Sequence, residues 1–321
     1  MDERDRIVSE LLSHVEGTYV PPPRDTFDLN SSTVFAAISG AQLSCGEREI
    51  VEGVVIRECF VDIILPSVMA FSLPTNGSGP HPGPWAALSE IIVRNRVELE
   101  IASSVRTADY GLDRLNFIWL ITTLLRLRLA LPIAATFLSD RAVAHLQNSR
   151  GKENTMTIEL GLAQQFPQSN AQIQAEHVDW IGRNLKSASQ LFTFPEFRRA
   201  LITLDNGWWH LRGGASVVTF WAAIETLLRP GRRFITKRIS QALAALLYAT
   251  REERDRAYSQ FGASYEARGG SVHDGQRPQD EEFAFAALLA RDVFLKVIET
   301  CETPNIDNLV SSWKHTQGTK I

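Results

Sequence analysis

Apolar residues recur with a helical period through most of the C-terminal half of the chain. The segment 214–229 shows the period best, with apolar positions three or four residues apart. These positions are Val217, Phe220, Trp221, Ile224, Leu227 and Leu228. At about 100° per residue they span ~120° of the helix circumference, so we expect one buried face. Similar stripes predict further helices at 171–191, 195–210, 232–249, 251–267 and 281–301.

The N-terminal section has a more varied pattern. Residues 1–15 are expected to form a short helix. The runs 53–56 and 61–65 are rich in β-branched residues, and in 91–101 apolar residues nearly alternate with charged ones. A loop rich in glycine and proline, residues 72–84, separates these strand-like runs. We therefore predict a mixed α+β section.

The most hydrophobic stretch runs from residue 117 to residue 138. We predict one helix over 112–131, ended by Pro132, which cannot continue it. Arg126 and Arg128 interrupt the apolar run, and two arginines would cost about 5 kcal/mol or more inside a bilayer. The stretch therefore predicts a buried helix of a soluble protein and not a membrane span.

Chain length and polar stretches predict two domains. Domains average about 100–200 residues, and this chain has 321. A polar stretch at 147–154 is followed by a short apolar run at 156–162, for which we predict a strand. The segment 166–170 is suited to a boundary, with Ser or Asn to cap the next helix. We predict a mixed section over 1–165, a helical section over 166–321, and a mainly α fold class.

Composition excludes an evenly basic protein. Hydrophobic residues make up 44%, charged residues 22%, and the net charge is −4. Contact with nucleic acid would need a local basic patch. The one candidate patch comprises Arg229, Arg232, Arg233, Lys237 and Arg238. It fits an RNA-binding surface, or alternatively an ordinary solvated helix face.

No motif predicts a metal or a cofactor. The three cysteines have no metal-ligand spacing, and there is no G-x-S-x-G, Walker or H-E-x-x-H motif. The charged N-terminus, MDERDRIVSELL, lacks the apolar core of a signal peptide. We expect a cytoplasmic protein without a metal, a cofactor or a membrane partner.

One short motif has the composition of a catalytic site. Residues 265–275 read YEARGGSVHDG, in which four residues separate Arg268 from His273. This spacing alone is weak evidence, but here it lies between two predicted helices. It also follows the segment 221–228, WAAIETLL, at a distance of about forty residues.

Together these segments resemble the Apea-like HEPN family. Its members carry a W-x-x-x-E-x-L-L helix, then a basic amphipathic helix, then a turn similar to Y-x-x-R-S-x-x-x-H-G. The matching residues here are Trp221, Glu225, Leu227, Leu228, Arg238, Tyr265, Arg268 and His273. The resemblance implies that 166–321 is a HEPN-type helical bundle, often dimeric, and that 1–165 is a sensor or specificity module.

The resemblance also implies a function. Catalytic HEPN proteins are metal-independent ribonucleases with Arg and His at a dimer cleft, whereas other members only bind RNA, nucleotides or proteins. The residue types suit RNA cleavage, because His273 can accept the 2′-OH proton near neutral pH and Arg268 can hold phosphate oxygens. We therefore expect a homodimeric endoribonuclease in phage defence or stress response; the alternative is an inactive module for RNA binding or dimerisation.

Two features qualify the motif. On a regular helix, Arg268 and His273 would point ~140° apart, and two glycines inside a helix cost roughly 2 kcal/mol, so we expect the helix to break at Gly269–Gly270. The family has a polar residue where this chain has Gly269; Ser271 or Asp274 are the candidates to replace it.

Glu225 is expected to hold an arginine in place. It lies at the edge of the apolar stripe of its helix, and the resemblance supports a pair with Arg268 or Arg238. The alternative is an ordinary carboxylate at the boundary between buried and exposed surface. A pair of this kind fixes geometry more reliably than it adds stability.

Overall fold

The computed structural model describes residues 29, 32–70, 86–148, 155–163, 171–210, 214–273 and 279–318. Within these ranges, side chains are described except at 65–70, 86–91, 147–148, 270–273 and 315–318. The predicted helix 1–15, the loop 72–84 and the boundary 166–170 lie outside the described residues.

An antiparallel sheet occupies the N-terminal part. Its strands are β1 (Val34–Ser39), β3 (Arg48–Val51), β4 (Val54–Ala70), β5 (Ala86–Ile101), β6 (Ala134–Ser139) and β7 (Thr155–Thr157). They form a six-stranded sheet in the order β3-β4-β5-β1-β6-β7. Two short strands, β2 (Ala41–Leu43) and β8 (Ala171–Ile173), pair in parallel beside it. The strand-like runs at 61–65 and 91–101 fall inside β4 and β5, which confirms their prediction.

Helices make up most of the rest of the described chain. They are α1 (Arg114–Leu129), α2 (Leu160–Ala163), α3 (Ala175–Phe192), α4 (Pro195–Gly207), α5 (Gly214–Leu228), α6 (Ile235–Leu247), α7 (Arg251–His273), α8 (Asp280–Thr300) and α9 (Ile306–Gly318). Two 3₁₀ turns lie at Thr107–Tyr110 and Val143–Asn148. The chain is thus mainly helical with an N-terminal α/β part, as predicted.

Several predicted boundaries were wrong. The expected strand at 156–162 is only β7, after which the chain turns into α2. The helix expected from residue 171 begins at Ala175, because residues 171–173 pair with β2. Helix α9 was not predicted, although Asn305 caps it and Ile306, Val310 and Trp313 share one buried face.

Helix α1 lies between the sheet and the other helices. It begins where the Asp113 side chain accepts a hydrogen bond from the Asn116 amide at 2.8 Å, and it ends at Ala130 in a left-handed conformation. It packs against β6 on one side and against α3, α4 and α8 on others. One hydrophobic core runs from Val34 in β1 to Trp313 in α9. In the described part of the chain, none of the helices combines the length and apolar character needed to cross a membrane.

Arg126 is fully buried in α1 and is surrounded by oxygen atoms. Its Nη1 lies 2.7 Å from Asp205 Oδ1 of α4, and its other nitrogens donate to Glu159 and to the Ile133 carbonyl. Glu159 also accepts the Ala135 amide of β6 at 2.8 Å. Burial lowers the pKa of Arg126, but Asp205 and Glu159 more than offset this, so the pKa rises and the group stays charged. This buried ion cluster connects the sheet, α1 and α4.

We expect Arg126→Met to lower the free energy of unfolding by about 3–5 kcal/mol, because it leaves two carboxylates near the core without their cation. Urea denaturation followed by circular dichroism measures the change. Arg199→Met is the matched control, since the Arg199 side chain on α4 is 67% exposed and its loss should cost about 0.5 kcal/mol or less. Equal losses in both variants would contradict a structural role for the buried charge.

Candidate functional site

Helices α5 and α7 pack against each other and bring four motif residues together. Trp221 and Glu225 are one turn apart on α5, so they share a face. Tyr265 and Arg268 are three residues apart on α7 and share the facing side. We call these four residues the Arg268 cluster. The pair on α5 and the pair on α7 are about forty residues apart in the sequence, so only the packing of the two helices brings them together.

Glu225 is the centre of the Arg268 cluster. Its Oε1 lies 2.8 Å from Arg268 Nη1 and accepts the Tyr265 hydroxyl hydrogen bond at 3.0 Å. The Arg268 guanidinium carbon lies 4.8 Å from the centroid of the Tyr265 ring, a cation–π distance. The Tyr265 ring in turn meets Trp221 edge-on, with centroids 5.1 Å apart. The guanidinium is therefore fixed by an ion pair on one side and an aromatic face on another.

The Arg268 cluster lies at the boundary between core and solvent. Trp221 is fully buried, whereas the side chains of Arg268 and Glu225 are 22% and 27% exposed. Burial raises the pKa of Tyr265, and the Glu225 carboxylate raises it further, so the phenol stays a neutral hydrogen-bond donor. Arg268 Nε is buried and has no hydrogen-bond partner among the described residues. The ion pair and the aromatic face thus hold the guanidinium in position, and part of the side chain reaches solvent.

Helix α7 does not break where the sequence led us to expect. It continues through Gly269–Gly270 and ends at His273. Its preceding turns are anchored against α5, α6 and α8, and each added residue gains a helical hydrogen bond, which outweighs the weak propensity of glycine. A Cβ added at Gly269 would meet nothing within 4 Å. Positions 268 and 273 therefore stay about 140° apart around the axis and ~7.5 Å apart along it.

The remaining motif residues fall into two groups. The side chains of Ser271 and His273, and all of Asp274, lie outside the described residues. Arg238 does not reach Glu225, because its Nη2 lies 2.8 Å from Asp307 Oδ1 of α9. Of the two partners expected for Glu225, the structure shows Arg268. The pair between Arg238 and Asp307 was missed, since nothing in the sequence connects an exposed aspartate with an arginine so far away.

The predicted basic residues follow Glu225 of the Arg268 cluster directly in the chain. Arg229, Arg232, Arg233 and Lys237 are all exposed, in the turn from α5 to α6 and in the first turn of α6. The Arg229 amide donates to the Glu225 carbonyl at 2.8 Å, so the turn begins one helical turn after Glu225. The Arg229 side chain lies 3.2 Å from Glu196 of α4.

Comparisons of the chain with known protein families, with curated proteins and with solved structures found no match. Among the residues that the structure describes, there is also no group of three or more His, Cys, Asp or Glu side chains that could hold a metal ion. Function is therefore inferred from the Arg268 cluster and from the basic residues that follow Glu225.

We expect a double-mutant cycle of Glu225→Gln and Arg268→Met to give a coupling energy of about 1–2 kcal/mol, because both side chains are partly buried and in direct contact. Urea denaturation of the two single variants and the double variant measures it. The exposed pair of Glu196 and Arg229 serves as the matched cycle and should give about 0.5 kcal/mol or less. A coupling near zero at Glu225 would mean that it does not position Arg268.

Proposed function

We propose that this chain is a cytoplasmic, HEPN-like endoribonuclease of the Apea-like kind, which cleaves RNA as a homodimer and acts in phage defence or stress response. The observation that carries the proposal is the Arg268 cluster. Four residues that match the family's motifs lie in contact, and Glu225 and Tyr265 hold the partly exposed Arg268 side chain at the boundary between core and solvent. In this proposal 166–321 is the HEPN-type bundle, and 1–165 is a sensor or specificity module.

The proposed reaction is cleavage by the RNA's own 2′-OH. The 2′ oxygen attacks the adjacent phosphorus while its proton passes to the neutral His273 imidazole. The bond from phosphorus to the 5′ oxygen then breaks, and that oxygen takes up a proton. Arg268 binds the non-bridging oxygens and stabilises the charge that develops on them. The products are a 2′,3′-cyclic phosphate and a 5′-hydroxyl, and the reaction needs no metal ion.

The course of helix α7 supports a site shared between two chains. Because α7 continues to His273, positions 268 and 273 of one chain face different directions. In a twofold dimer, Arg268 of one protomer can instead face His273 of the other, and symmetry then produces two such sites. We therefore propose that the active site is composite.

The second candidate is an inactive HEPN bundle that binds RNA or mediates dimerisation. The observation that favours it is Gly269, which leaves the position after Arg268 without the polar side chain that the family has there. The unbroken helix adds to this, since it does not bring the two motif positions together within one chain. The basic residues would keep an RNA-binding role in this case.

We expect the wild-type protein to cleave total cellular RNA in the presence of EDTA, and Arg268→Ala and His273→Ala each to slow cleavage by at least about 100-fold, because each removes one proposed catalytic group. Gel electrophoresis measures cleavage, and the 2′,3′-cyclic phosphate ends are identified by mass spectrometry. Arg199→Ala and His145→Ala, at exposed positions elsewhere, are the controls and should cleave normally. Intact RNA with every protein would favour the inactive bundle.

We expect Arg268→Ala and His273→Ala chains to restore activity when they are co-expressed. A mixed dimer keeps one complete composite site, so random assembly should recover about a quarter of the wild-type rate. Differently tagged chains allow the mixed dimer to be purified and assayed on RNA. If the mixed dimer is as inactive as its parents while wild type cleaves, then both groups act within one chain.

A further inference from the structure

The turn between α5 and α6 exposes an aromatic ring that the proposed chemistry does not use. Phe234 ends this turn and is 77% exposed, more than any other large hydrophobic side chain of the described residues. A free phenylalanine side chain in water has no stabilising role in the fold, because its burial is what contributes to stability. A single exposed apolar side chain is common at protein surfaces, so its meaning depends on the backbone and the charges beside it.

The backbone holds Phe234 in a conformation that phenylalanine rarely adopts. Its φ is 55°, in the left-handed region, and Arg229 (φ 50°) and Gly231 (φ 76°) at the other end of the turn are there too. Glycine adopts this conformation without a steric penalty, but the two larger residues do not. Residues kept in such strained positions tend to lie at binding sites, where the strain presents a side chain to a ligand.

The charged residues next to Phe234 in the sequence are all positive. Arg232, Arg233 and Lys237 are exposed and form no ion pair within the described part of the chain. Their neighbours differ in this respect, since Arg229 is paired with Glu196 and Arg238 with Asp307. The first turn of α6 adds its amide groups, because no side chain caps it. The segment 229–237, here called the basic turn, therefore combines one free aromatic face with three uncompensated cations.

We propose that the basic turn binds single-stranded RNA, with Phe234 as the platform on which an unpaired base stacks. Single-stranded nucleic acid is the ligand that needs both features, because its phosphates require cations and its unstacked bases require an aromatic face. The basic turn begins at Arg229, four residues after Glu225, so a strand bound there continues toward Arg268. The inference rests on the proposed function for RNA as the ligand, and it adds that the bound segment is unpaired.

Fluorescence anisotropy tests this proposal with full-length protein and a 5′-fluorescein-labelled oligouridylate of about 20 nucleotides, long enough for one site. All proteins carry His273→Ala, so that the probe survives, and the buffer contains EDTA. Phe234→Ala should weaken binding about tenfold, whereas Phe234→Trp should retain it, because base stacking needs an aromatic face. Phe194→Ala is the matched control, since Phe194 is likewise an exposed ring, at 50%, but has an ordinary φ of −79°.

Phe234→Gly separates binding from folding. Glycine relieves the left-handed strain, so the melting temperature should not fall, while affinity for the oligouridylate should fall as in Phe234→Ala. Replacing Arg232, Arg233 and Lys237 together by alanine should reduce the slope of log affinity against log salt by about 2, as expected when three phosphate contacts to a single strand are lost. A duplex RNA of equal length should bind more weakly, and its affinity should not depend on Phe234.

Three outcomes would overturn the proposal. The first is unchanged oligouridylate affinity in Phe234→Ala, and the second is a duplex bound equally well with the same dependence on Phe234. The third is Phe234-dependent binding to phosphatidylcholine vesicles with about 30% phosphatidylserine and none to RNA, which would assign the basic turn to a membrane surface. Phe234-dependent RNA binding by a protein that never cleaves RNA would refute the nuclease and keep this inference. Cleavage by a protein whose RNA binding does not depend on Phe234 would refute this inference and keep the nuclease.

Discussion

A single buried guanidinium constrains how the sheet and the helices come together. Arg126 has no contact with water, and a charge in that position requires oxygen partners on several sides. Asp205 comes from α4, Glu159 from the segment between β7 and α2, and the Ile133 carbonyl from the chain entering β6. The N-terminal sheet and the C-terminal helices therefore meet at α1, and α4 packs in turn against α5, which carries Glu225.

Arg126 and Arg268 are both paired with carboxylates, but the two pairs have different roles. Arg126 is fully enclosed and is bound by two carboxylates and a carbonyl, so it organises the core. Arg268 lies at the boundary between core and solvent, is 22% exposed, and is held by Glu225 and the face of Tyr265. A fixed guanidinium that reaches solvent suits a phosphate, because no reorganisation is needed when the anion arrives. This contrast is why the proposed chemistry is centred on Arg268.

The proposed substrate path and the proposed dimer follow from the same pair of helices. The C-terminal end of α5 presents Glu225 to Arg268 and leads one turn later into the basic turn with Phe234. The end of α7 carries position 273 away from position 268, so a complete site calls for a second chain. An unpaired RNA strand held at the basic turn would then reach a cleft between two protomers. Glu225 and Arg268 lie on helices, which position side chains more accurately than loops do, whereas Phe234 lies in the turn between α5 and α6.

Elements with a local signal can be predicted from the amino-acid sequence. Apolar spacing predicted α5 and α8 closely, Pro132 predicted the end of α1, and the motif residues Glu225 and Arg268 could be chosen as a pair. The packing of the helices fixes the rest: Glu225 binds Arg268 while Arg238 binds Asp307, and α7 continues through its glycines. It also decided that Asp205 neutralises Arg126 from 79 residues away. Periodicity and capping act over a few residues, whereas such long-range pairs depend on how whole helices pack, which no local pattern encodes.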